Sequence, residues 1–413
     1  MKRERPWDVD WLHERRVQAY ARIMLVTFVV LWSVYALGGS GLSARGGEII
    51  GADFQVFYAA SALASEGRAA DAYDQAKLMA AERERTGSTD RHIWGYPPDL
   101  FIVVAPLAHL PYLLAFGTWA LLGTGLYLAT LRAIAPVRGL MVVSLSFGGW
   151  LLSVTQGQNG CISAAILGAG LVFLDTRPRL SGATLGLLTY KPQLALLVPL
   201  LLLSTRRWPH VVSFVASAAC VAVLSAMIFG LDAWVAFVRH SSDALQVLEA
   251  GGFKLEKMPT VTAALLLLNV PGSFALAVQA VVAAAAVTTA LFIWRKEPSS
   301  RMAAVVVPPA ILLCTPYAYD YDLAVLAVSG AFLFAEARER GWLGGEKAAM
   351  AAVWAAAPAL PLIAIGTHVQ VGPLVVALPL LLALRRTLAN RSAVQVASEA
   401  GGEVERQSGA VAG

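Results

Sequence analysis

Charge is scarce in this chain: 14% of its 413 residues are Asp, Glu, Lys or Arg, against roughly 25% in an average soluble domain. With 57% of residues hydrophobic, that shortage excludes an ordinary soluble protein. Cysteine is rarer still. Cys161, Cys220 and Cys314 lie in apolar surroundings without a CxxC spacing, so packing is their expected role and neither a disulfide nor a zinc site is implied. His240 and His368 are isolated, with no HxxxH or HExxH spacing; no metal and no cofactor are expected. GxGxxG, Walker and GxSxG signatures are missing too, which leaves a soluble nucleotide site without support.

Long apolar runs take the place of these features, several of them near the roughly 20 residues that a spanning helix needs. Runs such as VVAAAAVTTALFIW do not alternate in polarity, so helices are expected and a closed barrel is not. The chain reads as an all-α polytopic membrane protein with about 10–12 crossings. Its net charge of +5 reports topology, because Lys and Arg gather in short loops and form no nucleic-acid patch. The basic N-terminus is followed by an apolar run without a convincing cleavage site, which reads as a retained span.

Arg3, Arg5, Arg15 and Arg16 precede the first span, about 20–38, and place the N-terminus in the cytoplasm. Residues 39–97 then form a first external loop with helical patterning over about 54–65 and 75–86. An apolar stretch at 100–133 is broken near Pro106 and Pro111. Runs at 139–155 and 161–174 are joined by VTQGQNG. The cationic loops DTRPR and TRRW flank an apolar run, and both stay inside only if that run turns back at Lys191-Pro192 as two half-helices. Residues 231–258 read as a second external loop with an amphipathic helix. TPYAYDYD lies outside between two runs spanning 302–335, and a last pair, 348–366 and 370–386, ends at Arg385 and Arg386. Residues 1–387 read as one membrane domain, and the polar tail 388–413 as disordered and cytoplasmic.

This orientation collects the unusual polar residues at the external half: Asp53, Tyr96, Gln156 to Asn159, Lys191, Arg239-His240 and Tyr317 to Asp322. Ionisable groups at membrane depth are costly and point to function, but each also has a plain structural reading. Asp53 and Asp74 stand where helices begin, and Asp is a preferred N-cap. Lys191 can snorkel or form a structural pair. Gln158 and Asn159 can satisfy a turn, while Asp320 and Asp322 can start the helix near Leu323.

The stretches ADFQVFYAASALASEG, AYD, WGYPPDLFIVVAPLAHLPYLLAFGTWALL, QGQNG, GLLTYKPQLALLVPLLLL and TPYAYDYDL, in this order over roughly 20–335, resemble the family 87 glycosyltransferases of bacterial membranes. The resemblance implies a GT-C fold with its pocket at the extracytoplasmic face of the plasma membrane. It also implies a polyprenyl-phosphate-linked sugar as donor. Mycobacterial members include a mannosyltransferase acting on phosphatidylinositol mannosides, whose proposed base, the acid opening the first external loop, matches Asp53. Those members carry histidine where this chain has Tyr319, Asp320, Tyr321 and Asp322.

Such a hexosyl transfer needs a base for the acceptor hydroxyl and a cation for the departing phosphate. Asp53 is the expected base. Lys191, Arg239 and Lys254 are expected at the phosphate. Tyr96, Gln158, Asn159, Tyr317, Tyr319, Asp320 and Asp322 are expected around the sugar or acceptor. A single base predicts inversion of a mannose-like hexose onto a glycolipid or polysaccharide hydroxyl. Two rival readings remain: a lipid or polysaccharide transporter, with a midplane site between symmetric broken helices, and a glycan ligase or polymerase using a diphosphate-linked oligosaccharide. Membrane lipids are expected partners, and nucleic acid is not.

Overall fold

A computed structural model of the chain describes residue 9 and residues 11–242, 253–297 and 300–389. The described residues are helical throughout, with no β-strand beyond isolated bridges at Ser40–Ser43 and Ser43–Ile49. Five helices are long and apolar enough to cross a membrane: Glu14–Leu37, Tyr112–Ile134, Trp208–Phe229, Gly272–Lys296 and Gly372–Ala389. A sixth crossing is available to the pair Glu346–Ala356 and Leu360–Thr367, bent by 68° at its break. The other apolar runs that the expectation of 10–12 crossings counted lie in shorter helices: Gly160–Val172, Pro192–Ser204 and Arg301–Cys314 among them. The first long helix buries only 6% of its apolar window and Trp208–Phe229 only 11%. Apolar helices so exposed require lipid around them.

Local chemistry explains most boundaries. Pro178, Pro192 and Pro209 each stand in the first turn of a helix, where a missing N–H costs nothing. Pro106 and Pro111 divide the stretch 98–134 into short turns over 98–109 and one span, Tyr112–Ile134. The first-loop helices run Phe54–Ser65 and Gln75–Thr86, the ranges that patterning indicates. Pro308 and Pro309 sit inside Arg301–Cys314, as membrane helices tolerate when neighbours surround them. The last helix continues to Ala389, two residues beyond the boundary expected at 387; residues 390–413 of the expected tail lie outside the described residues.

Beside a small third cluster around Met258 and Ala263, two large cores dominate the described residues. One is aliphatic and holds the bundle, with Leu167, Leu185, Leu201, Val305, Ala310 and Leu333 all buried. The other is aromatic and belongs to the first loop: Phe54, Phe57, Trp94, Phe101, Phe116 and Trp119 pack around Phe54–Ser65. Ring pairs such as Trp94 on Phe101, stacked at 5.2 Å, knit it together. The loop is therefore a folded cap on one end of the bundle, and the polar residues meet where cap and bundle join.

Candidate active site

A cleft of about 890 Å³, its open mouth included, lies at that junction. Asp53, Arg91, His92 and Tyr96 line it from the cap, Gln158, Lys191, Tyr317, Tyr319, Tyr321 and Asp322 from the bundle, and Phe253, Lys254 and Lys257 from a third segment.

The chain bends hard on its way to Asp53. Gly51 takes φ +86° and Ala52 takes φ +36°, a costly conformation for a residue with a side chain. Asp53 then begins Phe54–Ser65 with helical dihedrals, φ −68° and ψ −12°. A capping side chain needs an extended backbone to fold back onto the first turn; Asp53 lacks one and makes no capping bond. The expectation of a cap is thus corrected, while its carboxylate does face the cleft. Its Oδ2 accepts from Gln158 Nε2 at 2.9 Å, across 105 residues of sequence.

Gln158 is fixed in turn. The Tyr96 hydroxyl donates to its Oε1 at 3.1 Å, so the amide must aim its NH₂ at Asp53. Ser153 Oγ donates to its backbone carbonyl at 3.1 Å. The preceding Gly157 takes φ +65° and carries no Cβ where one would stand 2.4 Å from Phe54 Cβ. A larger residue would force the QGQNG turn away from the helix that carries Asp53.

Lys191 occupies the break between the turn Leu187–Tyr190 and the helix Pro192–Ala195, as the sequence suggested. It is 2% exposed. Its Nζ pairs with Asp322 Oδ1, donates to Asn159 Oδ1 at 2.9 Å and lies 4.9 Å from the Tyr321 ring centroid. Asp322 Oδ2 accepts from the Tyr319 backbone N–H at 3.1 Å and caps the turn Asp320–Val325. The plain reading of these residues is what the contacts show: the pair builds the wall of the cleft, and its charges largely cancel.

Lys257, which sequence reasoning missed, is a cleft cation whose charge is less matched than that of Lys191. Its Nζ donates to the neutral Oε1 of Gln156 at 2.9 Å, and Gln156 Nε2 donates to Asp320 Oδ1 at 3.2 Å. Lys254 stands three residues earlier, exposed, and lines the same cleft; a 3₁₀ turn at Leu255–Lys257 brings positions i and i+3 into line. The spacing in KLEK was the available signal. His92 was also missed. Its Nδ1 meets Oε1 of Glu82 at 3.0 Å, and Glu82 is fully buried with Oε2 unpartnered. Burial opposes the imidazolium charge, but the hydrogen bond and field of Glu82, with Asp53 and Asp90 adding, hold its pKa above the ordinary value.

The remaining expected residues divide. Tyr96, Tyr317 and Tyr319 line the cleft, with Tyr319 stacked on Tyr321 at 5.4 Å. Asn159 and Asp320 stand behind its wall, bonded to Lys191 and Gln156. Asp74 is a cap, accepting from the N–H groups of Ala76 and Lys77. Arg239 is not in the cleft: it lies exposed on Leu231–Ser242, a helix whose Phe237 and His240 rings pack on Tyr73. An amphipathic helix laid on the cap turns its long cations to the surface.

The model of glycosyltransferase family 87 matches residues 94–316, more than half of the chain. The chain belongs to glycosyltransferase family 87. The match takes in Tyr96, the QGQNG turn, Lys191 and the Lys254–Lys257 segment, and stops just before Tyr317; Asp53 lies outside it. Comparisons with curated proteins and with solved structures return no match. Membership makes the chain a membrane glycosyltransferase, and the all-helical fold is consistent with the GT-C type.

Proposed function

We propose that this family 87 glycosyltransferase transfers a single mannose-like hexose from a polyprenyl-phosphate donor to a hydroxyl of a glycolipid or polysaccharide. The reaction inverts the anomeric carbon and takes place on the extracytoplasmic face of the plasma membrane. The observation that carries this reading is the setting of Asp53, whose Oδ2 is held by Gln158 in a cleft shared with Lys191, Lys254 and Lys257.

In this scheme the acceptor O–H gives its proton to the Asp53 carboxylate while its oxygen bonds to the anomeric carbon. The bond from that carbon to the phosphate oxygen breaks, and the electron pair leaves with the lipid phosphate. Lys257 and Lys254 meet the growing charge, with Lys191 behind them. Tyr96, Tyr317 and Tyr319 flank the sugar with one polar end each, and Gln158 holds the base in register. The phosphate of the donor favours a cationic pocket beside lipid. The assignment of sides rests on charge: Arg207, Arg301 and Arg386 stand at helix ends remote in the topology from Tyr317 to Asp322, where the positive-inside rule puts the cytoplasm. Both termini then lie inside.

The test is transfer of radiolabelled hexose from polyprenyl-phosphate mannose in lipid nanodiscs with a host lipid extract. Wild type is expected to transfer, and Asp53→Asn to lose about 10²–10⁴-fold in rate. Transfer only from a diphosphate-linked oligosaccharide would overturn the donor assignment, and an equal rate in the variant would overturn the base.

A further inference from the structure

A second recess opens away from the cleft, where the loop after Gly160–Val172 meets the start of Trp208–Phe229. Arg177, Pro178, Arg179, Leu180 and Pro209 line it. Its walls are apolar, formed by two prolines and a Leu180 that is 42% exposed, and two guanidinium groups border them. Arg177 lies over the Phe173 ring at 5.8 Å. Arg179 is exposed and has neither an ion-pair nor a hydrogen-bond partner among the described residues. Arg206 precedes Pro209 by three residues, held at φ +55°, whereas Arg207 is already engaged with Asp175 at 2.8 Å.

Backbone polarity adds to this charge. Pro178 and Pro209 are each in the first turn of a helix, of nine and 22 residues, neither of which has a side-chain cap. The N–H groups opening the longer helix are taken up by the carbonyls of Arg206 and Arg207. Arg179 and Leu180, at the start of the shorter one, have no such backbone partner among the described residues, and that helix end reinforces the positive potential of the recess. The depth is given by Trp208, 57% exposed at the start of an apolar helix that is itself 11% buried; aromatic residues at such positions mark the membrane–water boundary. An occupant must be anionic at one end, apolar at the other and located at the edge of the bilayer.

We propose that this recess is a binding site for an anionic phospholipid, with the headgroup phosphate between Arg177 and Arg179 and the glycerol end against Leu180 and the prolines. Topology alone needs cationic residues in this loop but needs no recess built around them. Headgroup charge is the recognition element, so a zwitterionic lipid of the same chain length binds more weakly.

Native mass spectrometry of the full chain in detergent tests this, with dioleoylphosphatidylglycerol as probe and dioleoylphosphatidylcholine as its neutral twin. Wild type is expected to prefer the anionic lipid. In R177Q/R179Q that preference falls about thirtyfold, roughly fivefold per guanidinium lost. Both arginines are exposed, and thermal unfolding of the variant checks that the fold is kept. R295Q/K296Q, which removes two exposed cations from the end of another long helix, keeps the preference. The proposal is overturned if wild type does not discriminate between the lipids, if R177Q/R179Q keeps the preference, or if R295Q/K296Q loses as much of it.

Discussion

Asp53 and Asp74 belong to one loop and stand at the starts of two twelve-residue helices, yet they do opposite things. Asp74 has an extended backbone, ψ 114°, and its side chain folds back to accept from Ala76 and Lys77. Asp53 has ψ −12° and cannot reach its own first turn; its carboxylate goes outward to Gln158. The difference lies in the turn before each residue. Gly51 and Ala52, both at positive φ, start the helix early and release the Asp53 side chain for other work. A cap is satisfied within its own segment, whereas a carboxylate denied its cap needs a tertiary partner.

Two deeply buried ion pairs among the described residues make the same contrast on a larger scale. Arg386 meets both oxygens of Glu346 and donates to Gly341 O at 2.8 Å, while Leu343 N–H donates to Glu346 Oε2 at 2.8 Å. That pair is saturated and lies far from the cleft in the topology. Lys191 and Asp322 are as deeply buried, but both line the cleft. One pair ties helices together away from the cleft, and the other forms part of the cleft wall.

The sharpest way to break the first comparison is to change both aspartates. Asp53→Asn should lose transfer by about 10²–10⁴-fold with little change in thermal unfolding, because no cap is lost. Asp74→Ala should keep its transfer rate. If Asp53→Asn instead unfolded the loop while retaining activity per folded molecule, the two residues would be the same after all.

Next in size, Lys191→Met and Arg386→Met should each cost about 3–5 kcal/mol, since each strands a buried carboxylate. Thermal unfolding in detergent measures this. Removing the partner as well, through Asp322→Leu or Glu346→Leu, should return much of the stability in both cases. Activity should return only for the Arg386 and Glu346 pair; recovery in both would make the cleft pair purely structural.

His92→Ala should cost roughly 1–3 kcal/mol by leaving buried Glu82 without its partner. Because the folded His92 holds its proton above the ordinary 6.5, the charged pair contributes fully below that pH. Its contribution is lost as pH rises through the raised value, so wild type and variant should converge in melting temperature toward alkaline pH. Divergence toward alkaline pH would reverse the sign and remove the ion pair. The smallest effect is the lost cap of Asp74→Ala, about 1 kcal/mol.

Much of the architecture was legible in the chain itself. Apolar run length located the five long spans but overcounted the crossings, because apolar runs also build shorter helices, and helical periodicity located Phe54–Ser65 and Gln75–Thr86. The Lys191-Pro192 break followed from the geometry of proline and the placement of flanking arginines. Asp53, Tyr96, Gln158, Lys191, Lys254, Tyr317, Tyr319 and Asp322 were picked from sequence, and all line one cleft. Arg239 was misplaced, since a cation on an amphipathic helix carries no mark of the surface that the helix covers. His92 went unnoticed because a lone histidine has no periodicity to report it, and Lys257 because the i, i+3 spacing of KLEK points inward only once the 3₁₀ turn at Leu255–Lys257 is formed.

What the sequence determined alone is what local rules govern: which segments cross or cap, where a helix breaks, and which charges are too costly to be idle at membrane depth. Tertiary structure decided the partnerships. Gln158 reaches Asp53 across 105 residues, and Lys191 reaches Asp322 across 131. Such contacts depend on close approach between elements, as at Gly160, where a Cβ would stand 2.0 Å from the Tyr321 carbonyl. A hydrogen bond is decided over a few tenths of an ångström, a distance that packing sets and that local sequence does not encode.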